Sequence, residues 1–235
     1  MQLFFNPEIN SSTKQFTFDK IESRHIVRVL RKKEGDTIFI TNGLGELFTS
    51  EVIIPNDKKC VVSISSSEKK IKPWNYYLHI AIAPTKLNDR FEWFLEKATE
   101  IGIDEITPII CDHSERKILK LERMEKIINS AAKQSLKFHF PKLNKPIKFS
   151  EFINQKIEGQ LFIAHCEETE KKLLKTELKP NTKTTVLIGP EGDFSLKEIT
   201  QSLEHTFIPV SLGESRLRTE TAGIIATHSV AFVNQ

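Results

Sequence analysis

An apolar run that stops at glycine leaves backbone groups open to a small molecule, and the last quarter of this 235-residue sequence holds two such places. The first is Val186-Leu187-Ile188 followed by Gly189-Pro190-Glu191-Gly192 and Asp193-Phe194-Ser195. A strand ending in a glycine turn presents free N–H and C=O groups with no side chain in the way, and ligands of open α/β sheets gather at such ends. That geometry suits an adenine edge or a ribose. Ser195 and Glu198 have capping-box spacing, so a helix starts directly behind the turn. The second place is Val210-Ser211-Leu212-Gly213, followed by Glu214-Ser215-Arg216-Leu217-Arg218-Thr219-Glu220-Thr221 and then small apolar residues from Ala222 onward. Charged and hydroxyl groups crowded at a strand end are placed for binding or catalysis. No Gly-Lys-Ser/Thr and no Gly-x-Gly-x-x-Gly occurs in either, so phosphate or dinucleotide binding has no direct support. Each segment alone also reads as an ordinary turn, the second with an ion-pair network among Arg216, Arg218 and Glu220 and a helix cap at Thr219 or Thr221. Two glycine-ended strands, each followed by a helix in one stretch of chain, favour a shared ligand.

The elements that must hold these turns follow from periodicity. Leu78 to Ala83, Glu105 to Ile110, Leu161 to Ala164, Thr185 to Ile188 and Phe207 to Leu212 read as buried strands. Between them lie helical patterns: Leu87, Phe91, Phe94, Leu95, Ala98 and Ile101 on one face up to Gly102, then Leu121 to Leu136, Ser195 to Leu203 and Thr221 to Val233. Alternation of this kind predicts a mainly parallel sheet covered on both faces. The last helix carries Ala222, Ile225, Ala226, Ser229 and Val233 on one side, a surface for the core or for a partner.

Residues 4–64 differ. Short alternating runs such as Thr37-Ile38-Phe39-Ile40, the turn at Asn42-Gly43, and further runs at Leu47-Phe48-Thr49 and Cys60 to Ile64 predict a small β-rich barrel. One helix, about Glu22 to Leu30, interrupts it, with Ile26, Val27, Val29 and Leu30 able to face inward. Arg24, Arg28 and Arg31 recur at helical spacing, Lys32 and Lys33 adjoin, and no acid intervenes. Net charge is only +3, but residues 1–73 hold 12 Lys and Arg against 9 Asp and Glu, while the remainder is balanced, so the excess lies here. This pattern suits contact with a polyanion, and equally a solvated helix face. Ser65 to Pro73 is polar and ends in proline, the composition of a linker. The expected division is therefore a barrel over 1–70 and an α/β domain over 74–235.

No stretch is apolar enough for a membrane span and Met1 to Pro7 does not resemble a signal peptide. Three scattered cysteines, Cys60, Cys111 and Cys166, fit a reducing compartment, and neither Cys111-x-His113 nor His165-Cys166 has the paired spacing of a zinc site. The expectation is a cytoplasmic protein without a metal.

Taken together, Ile188-Gly189-Pro190-Glu191-Gly192 and Leu212-Gly213-x-x-x-Leu217-Arg218-Thr219-Glu220-Thr221-Ala222 resemble two signatures of the 16S ribosomal RNA uridine-N3 methyltransferases of the SPOUT superfamily. Lys97-Ala98-Thr99-Glu100-Ile101-Gly102 and the segment Ala131 to Pro141 are similar to two more, so the resemblance spans nearly the whole chain. It implies a PUA-like β-barrel RNA-binding domain, a trefoil-knotted α/β domain that binds S-adenosylmethionine, and a homodimer acting on 16S rRNA in the small ribosomal subunit. A knot violates the usual rule against threaded chains, and no strand count would suggest it. Two departures stand out. Lys133-Gln134-Ser135-Leu136-Lys137 replaces the family's Glu-Gln-Ser-Gly-Arg, and Asp193 stands where glycine is common.

On that resemblance, Ile188, Gly189, Pro190, Glu191, Gly192, Leu212, Gly213, Leu217, Arg218 and Thr221 are expected to hold the cofactor. Arg218 and Glu220 are the expected catalytic pair, Arg218 stabilising charge on the uracil carbonyls and Glu220 either taking the proton or holding Arg218. For the RNA, Arg24, Arg28, Arg31 and Lys32 are expected to meet phosphates, and Lys133 and Lys137 to guide the strand toward the cofactor. A SPOUT enzyme acting on another base or on ribose, and an inactive ribosome-assembly factor, remain alternatives.

Overall fold

The computed structural model describes residues 1–235. The chain forms two compact units: residues 1–73 with 132–140, and residues 74–131 with 141–235.

The first unit is a five-stranded half-barrel. Strands β1 (Leu3–Phe5), β2 (Gln15–Thr17), β3 (Thr37–Thr41), β4 (Glu46–Ile54) and β5 (Val61–Lys69) lie in the order β1-β3-β4-β5-β2. The β1–β3 pair is parallel and the others antiparallel. Phe4, Phe18, Ile26, Ile40, Phe48 and Val62 are among its buried core residues. Ser65 to Lys69 is strand, not the linker its composition suggests. Ser66, Ser67, Glu68 and Lys69 pair with Thr49, Phe48, Leu47 and Glu46 across a register shift at Thr49/Ser50. Exposed polar side chains on a paired strand are tolerated because the ladder uses only backbone groups, which composition cannot report. Glycine is required where this unit closes on residues 138–140. A Cβ on Gly45 would lie 2.7 Å from His139 Nε2, and the Gly45 N–H donates to the Phe138 carbonyl at 2.8 Å.

Helix α1 (Lys20–Arg24) starts at Asp19, whose carboxylate accepts the Glu22 N–H at 2.8 Å. It continues as a wider π turn over His25–Val29. The change of period turns Val29 outward, 67 % exposed, against the inward position that α-helical spacing gives it.

Helix α3 (Leu121–Gln134) crosses from one unit to the other between Ala131 and Ala132. Its end is a Schellman turn: the Lys137 N–H donates to the Ala132 carbonyl and the Leu136 N–H to the Lys133 carbonyl. Leu136 therefore occupies the position that favours glycine, at φ +53°. A left-handed backbone costs an L residue about 1–2 kcal/mol, and the side chain is 41 % exposed. Leu136→Gly is expected to raise stability by roughly 1 kcal/mol despite removing an apolar group; chemical denaturation measures it, and a destabilised variant would show that Leu136 packing outweighs the strain.

The second unit carries β6 (Tyr77–Ile82), α2 (Asn88–Ile101), β7 (Glu105–Ile110), β8 (Lys142–Leu143), β9 (Ile147–Lys148), α4 (Phe149–Ile153) and β10 (Gln160–Ala164). It continues through β11 (Lys172–Leu173), α5 (Leu174–Glu177), β12 (Lys183–Ile188), α6 (Leu196–Glu204), β13 (Ile208–Ser211) and α7 (Thr219–Val233). The sheet order is β11-β13-β10-β12-β6-β7-β8, with β9 also on β7, and the ladders are parallel. Alternate residues of one strand enter different cores. Leu78, Ile80 and Ile82 pack with Phe91, Phe94 and Ala226, whereas Ala81 packs with Phe152, Phe194 and Ile199. Burial on both faces explains the nearly continuous apolar strands. No helix is long and apolar enough to cross a membrane.

Candidate active site

Parallel register brings three strand ends into line. Ala164 of β10 is opposite Ile188 of β12 on one side and Val210 of β13 on the other. The loops that follow, at His165, Gly189 and Leu212, consequently emerge side by side. Behind the second, Ser195 caps α6 as its spacing predicts. Its hydroxyl accepts the Glu198 N–H at 3.3 Å, and the Glu198 carboxylate accepts the Ser195 N–H at 2.9 Å.

Two adjoining cavities open between these loops. One, about 670 Å³, reaches from His165 and Lys171 to Gly192, Leu212, Gly213 and Arg216. The other, about 270 Å³, is lined by Ile188, Gly189, Pro190, Glu191, Leu217 and Arg218 among others. Ala164, Cys166, Asp193, Arg216, Leu217 and Ala222 border both. The buried Thr219 hydroxyl donates to the Gly189 carbonyl at 3.1 Å, fastening the second segment to the first. A third cavity, about 590 Å³, lies where Arg216, Leu217 and Arg218 meet α2, and Glu220 and Thr221 line it too. Thr221 thus faces this third space, while the other expected cofactor residues line the first two.

Local chemistry sets the shape of the glycine turn. Asp193 sits at φ +63°, the reason glycine suits this position. Its carboxylate accepts its neighbour Phe194 N–H at 2.8 Å and the Cys166 N–H at 2.7 Å, offsetting the backbone cost while tying the β12 loop to the β10 loop. His113 Nδ1 lies 3.0 Å from both the Gly192 and the Asp193 carbonyls, so that nitrogen carries the proton. Glu191 accepts the Lys86 N–H at 2.9 Å.

Two features of the site escape the sequence reading. His165, only 7 % exposed, lines the larger cavity with both ring nitrogens lacking a partner, and burial pushes its pKa below the usual histidine range. A neutral ring so placed offers one donor and one acceptor to a ligand. Burial, reinforced by Asp193, pushes the Cys166 thiol up and keeps it protonated. Glu220 is also buried. Its Oε1 lies 3.7 Å from Arg90 Nε on α2, a partner far away in sequence, and its Oε2 has no hydrogen-bond partner.

The six cations expected to meet RNA all belong to the first unit, including Lys133 and Lys137, which sequence distance separates from the others. Arg24 and Arg31 are exposed. Arg28 donates to Asp57 from Nε at 2.9 Å and Nη2 at 2.8 Å, and Lys133 pairs with Glu22 at 2.8 Å. Lys32 and Lys137 are half-buried, and burial lowers the Lys137 pKa.

A half-barrel unit together with a parallel α/β unit whose loops open at adjacent strand ends fits the class of RNA-modifying transferases. Residues 72–231 match the family described as RNA methyltransferase domain, and residues 18–65 match the RNA methyltransferase PUA domain. A ribosomal RNA small subunit methyltransferase E from Buchnera aphidicola is 31% identical over 221 residues, covering 90% of this chain and 86% of its own. Among solved structures, a probable rRNA-methyltransferase from Porphyromonas gingivalis superposes with a TM-score of 0.93 at 40% identity, over 100% of this chain and 98% of its own. The Neisseria gonorrhoeae ribosomal RNA small subunit methyltransferase E, solved bound to S-adenosyl methionine, gives 0.80 at 27% identity over 97% and 95%. The chain belongs to the ribosomal RNA small subunit methyltransferase E family, with the PUA and SPOUT-type α/β architecture of that group.

Proposed function

We propose that this protein transfers a methyl group from S-adenosylmethionine to N3 of a uridine in 16S ribosomal RNA of the small subunit, acting in the cytoplasm. The observation that carries the reading is the pair of adjoining cavities at the ends of β10, β12 and β13, with Arg218 on the wall between the smaller one and the third cavity. Their size suits a nucleoside with an amino-acid tail. The lining fits as well: close approach without a side chain at Gly189 and Gly213, unpartnered nitrogens on His165, Arg216 for a carboxylate, and Glu167 and Glu168 for an ammonium.

When bound, the cofactor supplies an electrophilic methyl on a sulfonium. The protein must then orient the acceptor and remove its proton, because in-line displacement needs little covalent help. Each unit by which the N3 pKa exceeds ambient pH withholds about 1.4 kcal/mol of reactive anion. The Arg218 guanidinium stabilises charge spreading onto the uracil carbonyl oxygens, and the free Glu220 Oε2 accepts the N3 proton. Held by the loops at Gly189 and Leu212, the cofactor would supply the methyl to N3 and keep the electron pair of the broken S–C bond on its sulfur. Arg24, Arg28, Arg31, Lys32, Lys133 and Lys137 hold RNA phosphates. Ile225, His228 and Phe232 on the outer face of α7, the apolar ones 37 % and 64 % exposed, support a homodimer.

Incubation with labelled cofactor and undermethylated small subunits, followed by mapping of the marked nucleotide, tests the reading. A mark on ribose or another base selects a different transferase. Absence of cofactor binding in calorimetry selects an assembly factor without transfer activity. For the RNA contacts, reversing Arg24 and Arg31 to Glu is expected to weaken binding and to flatten the dependence of log K on log salt by about 1.4 to 1.8, the share of two phosphate contacts; an unchanged slope would reduce this helix to a solvated face.

A further inference from the structure

The cavity of about 590 Å³ holds, beside Arg218 and Glu220, two side chains on α2 that the transfer chemistry above leaves unused. Helix α2 contributes Arg90 and Trp93, three residues apart and therefore on one face. The loop and first turn of α7 contribute Arg216, Arg218, Glu220 and Thr221. Trp93 is 43 % exposed on a helix whose Phe91, Phe94 and Leu95 are fully buried, so its ring is not spent on the core. The unpartnered Glu220 Oε2 belongs to a residue only 6 % exposed, and a buried acceptor is costly unless something brings it a donor.

An exposed aromatic face, an orphaned acceptor and flanking guanidiniums complement a planar base that presents a ring N–H between two carbonyl oxygens. Uracil has that edge; neutral cytosine and adenine carry no ring N–H there. Bases that undergo chemistry leave their stack and are held by an aromatic platform and by hydrogen bonds to their Watson–Crick edge. We propose that this cavity receives the extruded target base, with Trp93 as its stacking platform and Arg90 positioning Glu220 toward the imino N–H. The inference rests on the methyl-transfer reading and adds the place where the acceptor lies.

The test uses the full chain, its Trp93→Ala and Trp93→Phe variants, and undermethylated small subunits. Stacking on one aromatic ring predicts that Trp93→Ala lowers kcat/KM for the RNA roughly tenfold to a hundredfold. Cofactor affinity by calorimetry and molecular mass by sedimentation should stay at wild-type values, since Trp93 lines neither cofactor cavity. Trp93→Phe, which keeps a π face, should recover most of the loss. The inference is overturned if the alanine variant matches wild type, if phenylalanine rescues nothing, or if the alanine variant changes the mass. Failure of the parent reading looks different: the wild-type chain itself then binds no cofactor or transfers no methyl, and both fall together.

Discussion

Replacing Arg218 with alanine is expected to slow methyl transfer by about 10²- to 10³-fold, the cost of losing a preorganised donor aimed at developing negative charge. Arg218 borders both the smaller cavity and the third cavity, the two spaces that the proposed function gives to the cofactor and the acceptor. Most of the loss should appear in kcat, because the charge it meets grows only as the N3 proton leaves. Cofactor affinity should drop at most severalfold, since the other residues proposed to hold it, among them Gly189, Leu212 and Leu217, remain. Lysine should recover only part of the rate, because an ammonium lacks the planar fork that spans neighbouring oxygens. Wild-type turnover in Arg218→Ala, with cofactor binding intact, would remove Arg218 from the reaction.

Gly189→Val carries the other large effect. A Cβ at this position lies 3.0 Å from the Phe194 ring and 3.2 Å from the Phe194 backbone nitrogen, and Phe194 is itself buried. A branched side chain must then push into the core around Phe149 and Phe194, or project into the cavity that Gly189 lines. Overpacking of this kind costs about 1–3 kcal/mol, which as lost cofactor affinity is roughly tenfold to a hundredfold. Calorimetric titration together with a melting curve separates the two routes. If neither affinity nor Tm moved, the close approach of backbone to ligand at this turn would be wrong.

Long periodic segments are readable before any coordinates. The strands ending at Ile188 and near Ser211, the helix from Asn88 to Ile101 and the capping box at Ser195 all lie close to where apolar spacing and turn residues put them. β8, β9 and β11 are two residues each, and α4 and α5 five and four, too short to carry a period. Ser65 to Lys69 misleads because a strand needs no apolar side chain when its ladder partner is already in place. In the site, Gly189 to Gly192 and Leu217 to Thr221 are visible as polar or glycine-rich strand ends. His165 is not, since a single histidine after an apolar run has no distinguishing spacing; only burial with two idle nitrogens marks it. The Arg90–Glu220 pair joins the start of α2 to the start of α7, and nothing local could announce it. The departures at Leu136 and Asp193 gain meaning only from their left-handed backbones, one exposed to the strain and the other repaid by two hydrogen bonds.

Residues 138–140 bear on how the polypeptide matures. Phe138 and Phe140 exchange backbone hydrogen bonds with Gly45 and Gly43, and the Phe140 ring stacks on Phe5 at 4.5 Å. During synthesis the amino-terminal half-barrel therefore waits for a stretch translated much later before its last contacts can close. A gene fragment ending at codon 73 would encode an unfinished module, and a transplantable version must carry the later insert spliced back onto it.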